Sequence, residues 1–269
     1  MKNEKGLVKE FWNKAACGED LYLKGIDEQE KFRNQLNLRY ELEPFILPFA
    51  DFENHKKKKV LEVGVGLGAD HQMFAEGGAI LYGCDLTERA VEMTKKRFDI
   101  FKLSSNLVVA DAENLPYKNN FFDTVYSWGV IHHSPNTQKA IDEIYRVLKP
   151  NGSGKIMIYH KKSMVGYMLW IRYGLFKLNP FVSLEYIYSN YLESPGTKAY
   201  TIGEAYKLFN KFQSVTIKTI LGHGDLLSSQ AGQRHEGIIL NIARKIFPRQ
   251  IIKKLFPNNG LFMLIELKK

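Results

Sequence analysis

Between Lys59 and His160 the chain alternates short aliphatic runs with stretches whose apolar residues recur at helical spacing. The runs predict strands at Lys59–Val63, Ala79–Leu86, Phe121–Trp128 and Gly154–His160, and a third strand with its exit loop over Asn106–Pro116. Between them, Ala69–Ala75 and the segment from Thr87, as N-cap, through Phe98 predict helices. A further helix carries Ile141, Ile144, Tyr145 and Leu148 on its buried face. Its expected start is Ser134 as cap with Pro135 in the first turn, and its expected stop is Pro150-Asn151-Gly152. Strands alternating with helices imply a parallel sheet with right-handed crossovers. Before the first strand, Val8, Phe11, Trp12 and Ala15 fall at helical spacing, and a second helical pattern runs from Glu28 to Leu47. Residues 1–57 are therefore expected to form a helical cap, with Phe11, Trp12, Cys17, Gly18 and Tyr22 as a lid over a pocket.

The first strand runs into Glu62-Val63-Gly64-Val65-Gly66-Leu67-Gly68. Glycines at every second position let the backbone turn sharply and let a ligand approach without meeting a Cβ. This spacing differs from the Gly-x-Gly-x-x-Gly that seats a pyrophosphate at a helix N-terminus. Glu62 would repel a pyrophosphate and suits the amino group and sulfonium of S-adenosylmethionine. Asp85 ends the second strand, 21 residues after Gly64, where a ribose-binding carboxylate is expected. Asp111 can accept from an adenine amino group, and the Ala112 N–H can reach a ring nitrogen. A solvated loop acid is the plain alternative at Asp85 and at Asp111.

Composition narrows the class. The chain has 269 residues, 45% hydrophobic and 25% charged, enough for one globular domain with a good core. Cys17 and Cys84 suit neither a disulfide framework nor a zinc cluster and fit a reduced cytoplasmic setting. The polar Met1–Lys5 segment predicts no signal peptide, and no apolar run predicts a membrane span. Of the net charge of +9, the segment from Lys211 to Lys269 holds most, with ten basic against three acidic side chains. Within it, residues 239–257 interleave Ile239, Leu240, Ile242, Ile246, Ile251, Ile252 and Leu255 with Arg244, Lys245, Arg249, Lys253 and Lys254. That pattern suits a peripheral helix at the inner face of a membrane, or an ordinary helix with a solvated basic face.

Val60–Asp70, Gly83–Leu86, Ala110–Pro116 with Phe122-Asp123, Trp128–His133 and Leu148-Lys149-Pro150-x-Gly152 occur in order. Together they resemble a class I S-adenosylmethionine-dependent methyltransferase of the ubiquinone and menaquinone biosynthesis type. The resemblance implies an α/β fold: a Rossmann-like seven-stranded sheet whose last strand is antiparallel. It places the sixth and seventh strands at Ser214–Leu221 and Leu261–Leu267. One domain then comprises the cap, a cofactor-binding core at 58–160, a helical lid insertion at 161–200 and a basic C-terminal part at 201–269. By this resemblance Gly64, Gly66 and Gly68 line the methionine and ribose parts of S-adenosylmethionine, and Asp85 binds the ribose hydroxyls. Asp111 and Ala112 hold adenine, Ser127 and Trp128 contact the methionyl end, and Glu62, Leu86 and Glu113 complete the cofactor set.

Methyl transfer needs position and orientation, and a base where the acceptor brings its proton into the reaction. Three of the seven histidines lie at strand C-termini, where ligands bind in open α/β sheets: His132, His133 and His160. Adjacent His132 and His133 point different ways, so one at most faces a substrate. No Asp or Glu stands at ligand spacing beside them, so no metal site is expected. Lys198 and Tyr200, after a Pro-Gly turn, are the other polar candidates. The insertion's Tyr167, Met168, Trp170, Tyr173, Phe176 and Phe181 suit an apolar substrate lid. The function expected is methylation of a small or lipid-like acceptor at oxygen or nitrogen. An RNA methyltransferase is the alternative that the positive charge suggests, though no RNA-binding motif is appended. A module that binds S-adenosylmethionine without turnover is the other. Oligomeric state is not legible.

Overall fold

The computed structural model describes residues 4–16, 18–229, 241 and 244–269. Seven strands form one sheet: β1 Lys59–Val63, β2 Ile80–Asp85, β3 Asn106–Val109, β4 Phe122–Trp128, β5 Leu148–Tyr159, β6 Ser214–Ile220 and β7 Phe262–Lys268. Their order is β3-β2-β1-β4-β5-β7-β6. The first five run parallel, and β7 lies antiparallel between β5 and β6. The order reverses at β1, so the β1 and β4 exits share the crevice in which open α/β sheets bind ligands.

Strand alternation sorts the core into two layers. Leu61, Val63, Val125, Ile156 and Ile158 face one way, against Ile141, Ile144 and Val147. The latter belong to helix α7, Thr137–Val147. Val60, Tyr126 and Met157 face the other way, against Phe49, Phe52 and Phe74. The cap comprises α1 Glu4–Lys14, α2 Glu19–Tyr22, α3 Glu28–Leu42, α4 Ile46–Ala50 and a 3-10 turn at Phe52–His55. Pro44 and Glu43 split the single helix expected over 28–47, because proline cannot continue an α-helix.

Helices α5 Ala69–Glu76 and α6 Glu88–Phe101 follow β1 and β2, and the Thr87 side chain caps α6 by accepting from Ala90 N–H. Two boundaries differ from expectation. Asn136, not Ser134, caps α7, because the Ser134 hydroxyl is turned onto Glu113. Helix α7 ends at Val147 and β5 begins at once, so Pro150-Asn151-Gly152 lies inside the strand. The pairing with β4 shifts register there, and Asn151 takes φ 60°. The insertion folds as α8 Met164–Tyr173 and α9 Leu184–Tyr191, and α10 Ile202–Leu208 follows behind a Thr201–Glu204 capping box. Helix α11, Arg249–Leu255, precedes β7. Ile239, Leu240 and Ile242 of the basic segment, and Cys17 of the cap, lie outside the described residues.

Candidate functional site

At the C-terminal ends of β1, β2 and β4 a cavity of about 330 Å³ opens between the sheet and the cap. The glycine turn forms its floor. The three glycines, all at positive φ, serve different ends. A Cβ on Gly64 would meet Val130 Cγ2 at 2.0 Å, and one on Gly68 would meet Thr94 Cγ2 at 2.9 Å. A Cβ on Gly66 would meet nothing within 4 Å, because it would stand in the cavity itself. Gly64 and Gly68 thus let the turn pack, and Gly66 leaves room for a ligand.

The turn is braced from behind by Arg97, a fully buried residue of α6. Its guanidinium donates to the carbonyls of Leu67, at 3.1 Å, and Phe32, at 2.5 Å, and to Gln35 Oε1, at 2.8 Å. It also lies over the Phe32 ring, 4.8 Å from its centroid. Burial pulls its pKa down to about 10, still charged at neutral pH.

Asp85 faces the cavity from the end of β2. Its Oδ2 accepts from Gly66 N–H at 3.2 Å, and its Oδ1 from Thr87 N–H and hydroxyl at 3.0 and 2.9 Å. Burial pushes this carboxyl up, and those donors pull it back. Leu86, Asp111, Ala112 and Trp128 also line the cavity. Asp111 Oδ2 accepts from Lys5 of α1 at 2.5 Å, and Glu113 accepts from the same ammonium at 2.8 Å, so the cap helix is tied over this end.

Glu62 lines the cavity but is paired inward, with its Oε2 at 2.8 Å from His71 Nδ1. Burial pushes Glu62 well up and pulls His71 down to about 3, so the pair is neutral. Ser105 fixes the proton positions. Its hydroxyl donates to Leu81 O, so His71 Nε2–H donates to Ser105 and Glu62 Oε2–H donates to Nδ1. The carboxylate charge expected at Glu62 stands instead on Asp70. Burial opposes that charge, but Arg39, Tyr126 and Tyr40 hold the Asp70 carboxyl below its usual range. Arg39 grips it with two bonds, of 2.8 and 2.6 Å.

Four expected site residues stand off the cavity wall. Ser127 is fully buried and donates to Val63 O. Glu113 accepts from Ser134 and from Asn136 N–H, in the loop before α7. His160 directs Nδ1 at Gly260 O and bridges to Tyr200 beside the sheet. His132 is fully buried, its ring packed on Tyr159 and His133, and burial holds it neutral. Lys198 and Tyr200 are also spent on structure, donating to Ser134 O and Pro135 O and to Thr137 Oγ1. Phe176 and Phe181 of the insertion are 72% and 96% exposed, so they cover no pocket.

His133 does reach the cavity, and so do Trp12, Gly18 and Tyr22 of the cap. The Thr197 hydroxyl donates to Ser194 O at 2.7 Å, so at 3.1 Å from His133 Nδ1 it is an acceptor. Ser194 Oγ lies closer still, 2.8 Å from Nδ1, and can donate or accept there; in the tautomer with the ring proton on Nδ1, the Nε2 lone pair faces the cavity. Glu193 Oε2 lies 3.3 Å from Nε2 and accepts from the Tyr159 hydroxyl at 2.9 Å. An acid does stand beside the histidines, contrary to the spacing argument, because the insertion returns it from 60 residues downstream. Donor atoms of His132, His133 and Glu193 all fall within 4.8 Å of one another.

The core of this site is matched in known proteins. Residues 61–154 match the methyltransferase domain family. That stretch, about a third of the chain, is similar to a methyltransferase domain. Phosphoethanolamine N-methyltransferase 2 of Caenorhabditis elegans is 33% identical over 115 residues, 42% of this chain and 26% of that protein. A ubiquinone biosynthesis O-methyltransferase of Coxiella burnetii is 27% identical over 146 residues, 54% of this chain and 55% of that protein. The match thus spans about a quarter and about half of these relatives' lengths. Phosphoethanolamine N-methyltransferase 2 of Haemonchus contortus, in complex with phosphomonomethylethanolamine and S-adenosylhomocysteine, shares the fold. Its TM-score is 0.59 at 15% identity, over 97% of this chain and 60% of that one. The cofactor of such a domain is S-adenosylmethionine, and the residues here fit it: an open cradle at Gly66 and Asp85 facing it.

Proposed function

We propose that the protein transfers a methyl group from S-adenosylmethionine to a small-molecule acceptor held against His133 and Glu193. The observation that carries this is that one cavity joins the glycine turn and Asp85 to the free Nε2 of His133. Bound S-adenosylmethionine supplies the electrophilic methyl carbon and a thioether leaving group. Asp85 takes the ribose hydroxyls, and Asp111 and Ala112 take adenine. Trp12 and Tyr22 close the cavity from the cap side and exclude water. His133 Nε2 accepts a proton from the acceptor, with the ring held by Ser194 and Thr197.

Replacing Asp85 by Ala is expected to weaken S-adenosylmethionine binding about tenfold or more. Loss of the carboxylate leaves ligand hydroxyls unpaired, at about 1–3 kcal/mol. Calorimetry giving equal affinities for variant and parent would sink the assignment.

A second reading concerns where the protein works. No helix among the described residues is long and apolar enough to cross a membrane. Ile246, Ile251 and Leu255 are nevertheless 77%, 56% and 63% exposed around α11, beside Lys253 and Lys254. We propose that this face rests on an anionic membrane surface, the basic residues adding about 1 kcal/mol each. Arg249 takes no part, since it donates to the carbonyls of Leu226, Leu227 and Arg244. Sedimentation with anionic vesicles should fade in salt and vanish in a Lys253→Glu, Lys254→Glu double variant. Equal sedimentation with neutral vesicles argues against it.

A further inference from the structure

The acceptor end of the cavity holds more carboxylates than cations can answer. Glu43, Asp70 and Glu193 line it together with Arg39 as its guanidinium, and Asp70 takes both main bonds of Arg39. Glu43 keeps a 3.5 Å hydrogen bond from Arg39 and a 3.9 Å approach to His223, and burial lifts its carboxyl to about 7, so a further cation beside it is what would hold it fully ionised. Lys5 is already paired with Asp111 and Glu113. Asp225 also borders the cavity but is already satisfied by the N–H groups of Val165, Gly222 and Leu261.

A second, independent observation comes from His133. The residue is 6% exposed, and its Nε2 has no hydrogen-bond partner among the described residues. In the tautomer with the ring proton on Nδ1, between the Ser194 and Thr197 oxygens, the 3.3 Å approach of Nε2 to Glu193 Oε2 sets two acceptors face to face with no hydrogen between them. Such an arrangement is costly in a buried site unless a donor bridges the two. A cationic donor would satisfy both and would answer the surplus negative charge. An alcohol has one hydrogen to give and no charge. A carboxylate or phosphate would be repelled.

We infer that the acceptor is a primary or secondary amine that enters as an ammonium ion, bridged between Glu193 and His133 and attracted by Glu43. This rests on the methyl-transfer reading above and names its substrate class. The ammonium gives one N–H proton to His133 Nε2. The freed nitrogen pair forms the N–C bond to the methyl group, and the C–S pair returns to sulfur as a thioether. The product leaves as an N-methylammonium, one methyl heavier and with the same charge, and His133 returns its proton to solvent.

The probe is an isosteric series in which only the head group changes: benzylamine, benzyl alcohol and benzoate, and butylamine, butanol and butyrate. Each is titrated into the protein saturated with S-adenosylhomocysteine, with melting temperature and calorimetric affinity as readouts. The amines should bind, and their alcohol and acid counterparts should bind at least about tenfold more weakly, as expected for a desolvated charge pair. Glu193→Gln and Glu43→Gln should each erase most of that preference while leaving affinity for S-adenosylhomocysteine within about twofold. An alcohol or acid that binds as well as its amine overturns the inference, and so does a series in which no amine binds. If the two Gln variants weaken S-adenosylhomocysteine instead, the acids serve the cofactor's own ammonium and the inference falls. In each of these cases the protein still binds S-adenosylhomocysteine. Failure of that binding in the parent would overturn the methyl-transfer reading itself.

Discussion

Replacing Arg97 by Met should cost the fold several kcal/mol, since each buried acceptor left unpaired costs about 1–3 kcal/mol. Met fills much of the volume, so the loss falls on polar groups. The carbonyls of Leu67 and Phe32 and the Gln35 side chain would each lose a buried donor. Those acceptors belong to the glycine turn and to α3, so the change also loosens the cavity floor against the cap. Denaturant unfolding should show a lowered midpoint with an unchanged slope. Arg97→Lys restores one donor and should recover part of the loss. A midpoint shifted by less than about 1 kcal/mol-equivalent would show that the carbonyls find water or other donors, and that the network is incidental.

Much of this architecture was legible because the core of the sheet obeys local rules. Lys59–Val63 is an aliphatic run before a glycine turn, and it forms the central strand at the reversal of strand order. Asp85 ends its strand and faces the cavity, because the strand length and the helix capped at Thr87 leave it no other place. Element boundaries that depend on competing partners were not legible. Ser134 looks like a cap, but Glu113 captures its hydroxyl and Asn136 takes over. Pro150-Asn151-Gly152 looks like a helix stop, yet β4 draws the segment into a strand with shifted register. The site itself splits along the same line. The cofactor side is built from strand ends within 70 residues of one another, and their spacing carries the signal. The acceptor side joins Glu43, His133 and Glu193, which no sequence window holds together. Glu193 opens the Glu-Ser-Pro-Gly-Thr-Lys stretch that stands out in the sequence, but the candidates that stretch offers, Lys198 and Tyr200, turn their polar atoms to backbone and to Thr137. Arg39 and Glu43 had a weaker signal, an i,i+4 pair ahead of a helix-ending proline.

His133→Gln should lower the turnover rate by about 10²–10⁴-fold, the usual cost of losing a positioned proton acceptor. The sign follows from the tautomer: Nε2 offers a lone pair to the cavity, and a glutamine amide offers no comparable base there. Affinity for S-adenosylmethionine should not move, because its ribose and adenine are assigned to Asp85, Asp111 and Ala112 and not to His133. Two neighbours act as controls. His160→Gln removes a ring held at Gly260 O behind the sheet, and it should cost stability while leaving the rate per folded molecule near that of the parent. Thr197→Val removes one of the two hydroxyls that hold His133 Nδ1, so it should lower the rate by a smaller factor and shift the pH profile of turnover. Single-turnover kinetics on enzyme saturated with labelled S-adenosylmethionine separates these effects from binding. If His133→Gln keeps the parent rate across the pH range, the proton leaves by another path, and Glu193 becomes the group to test.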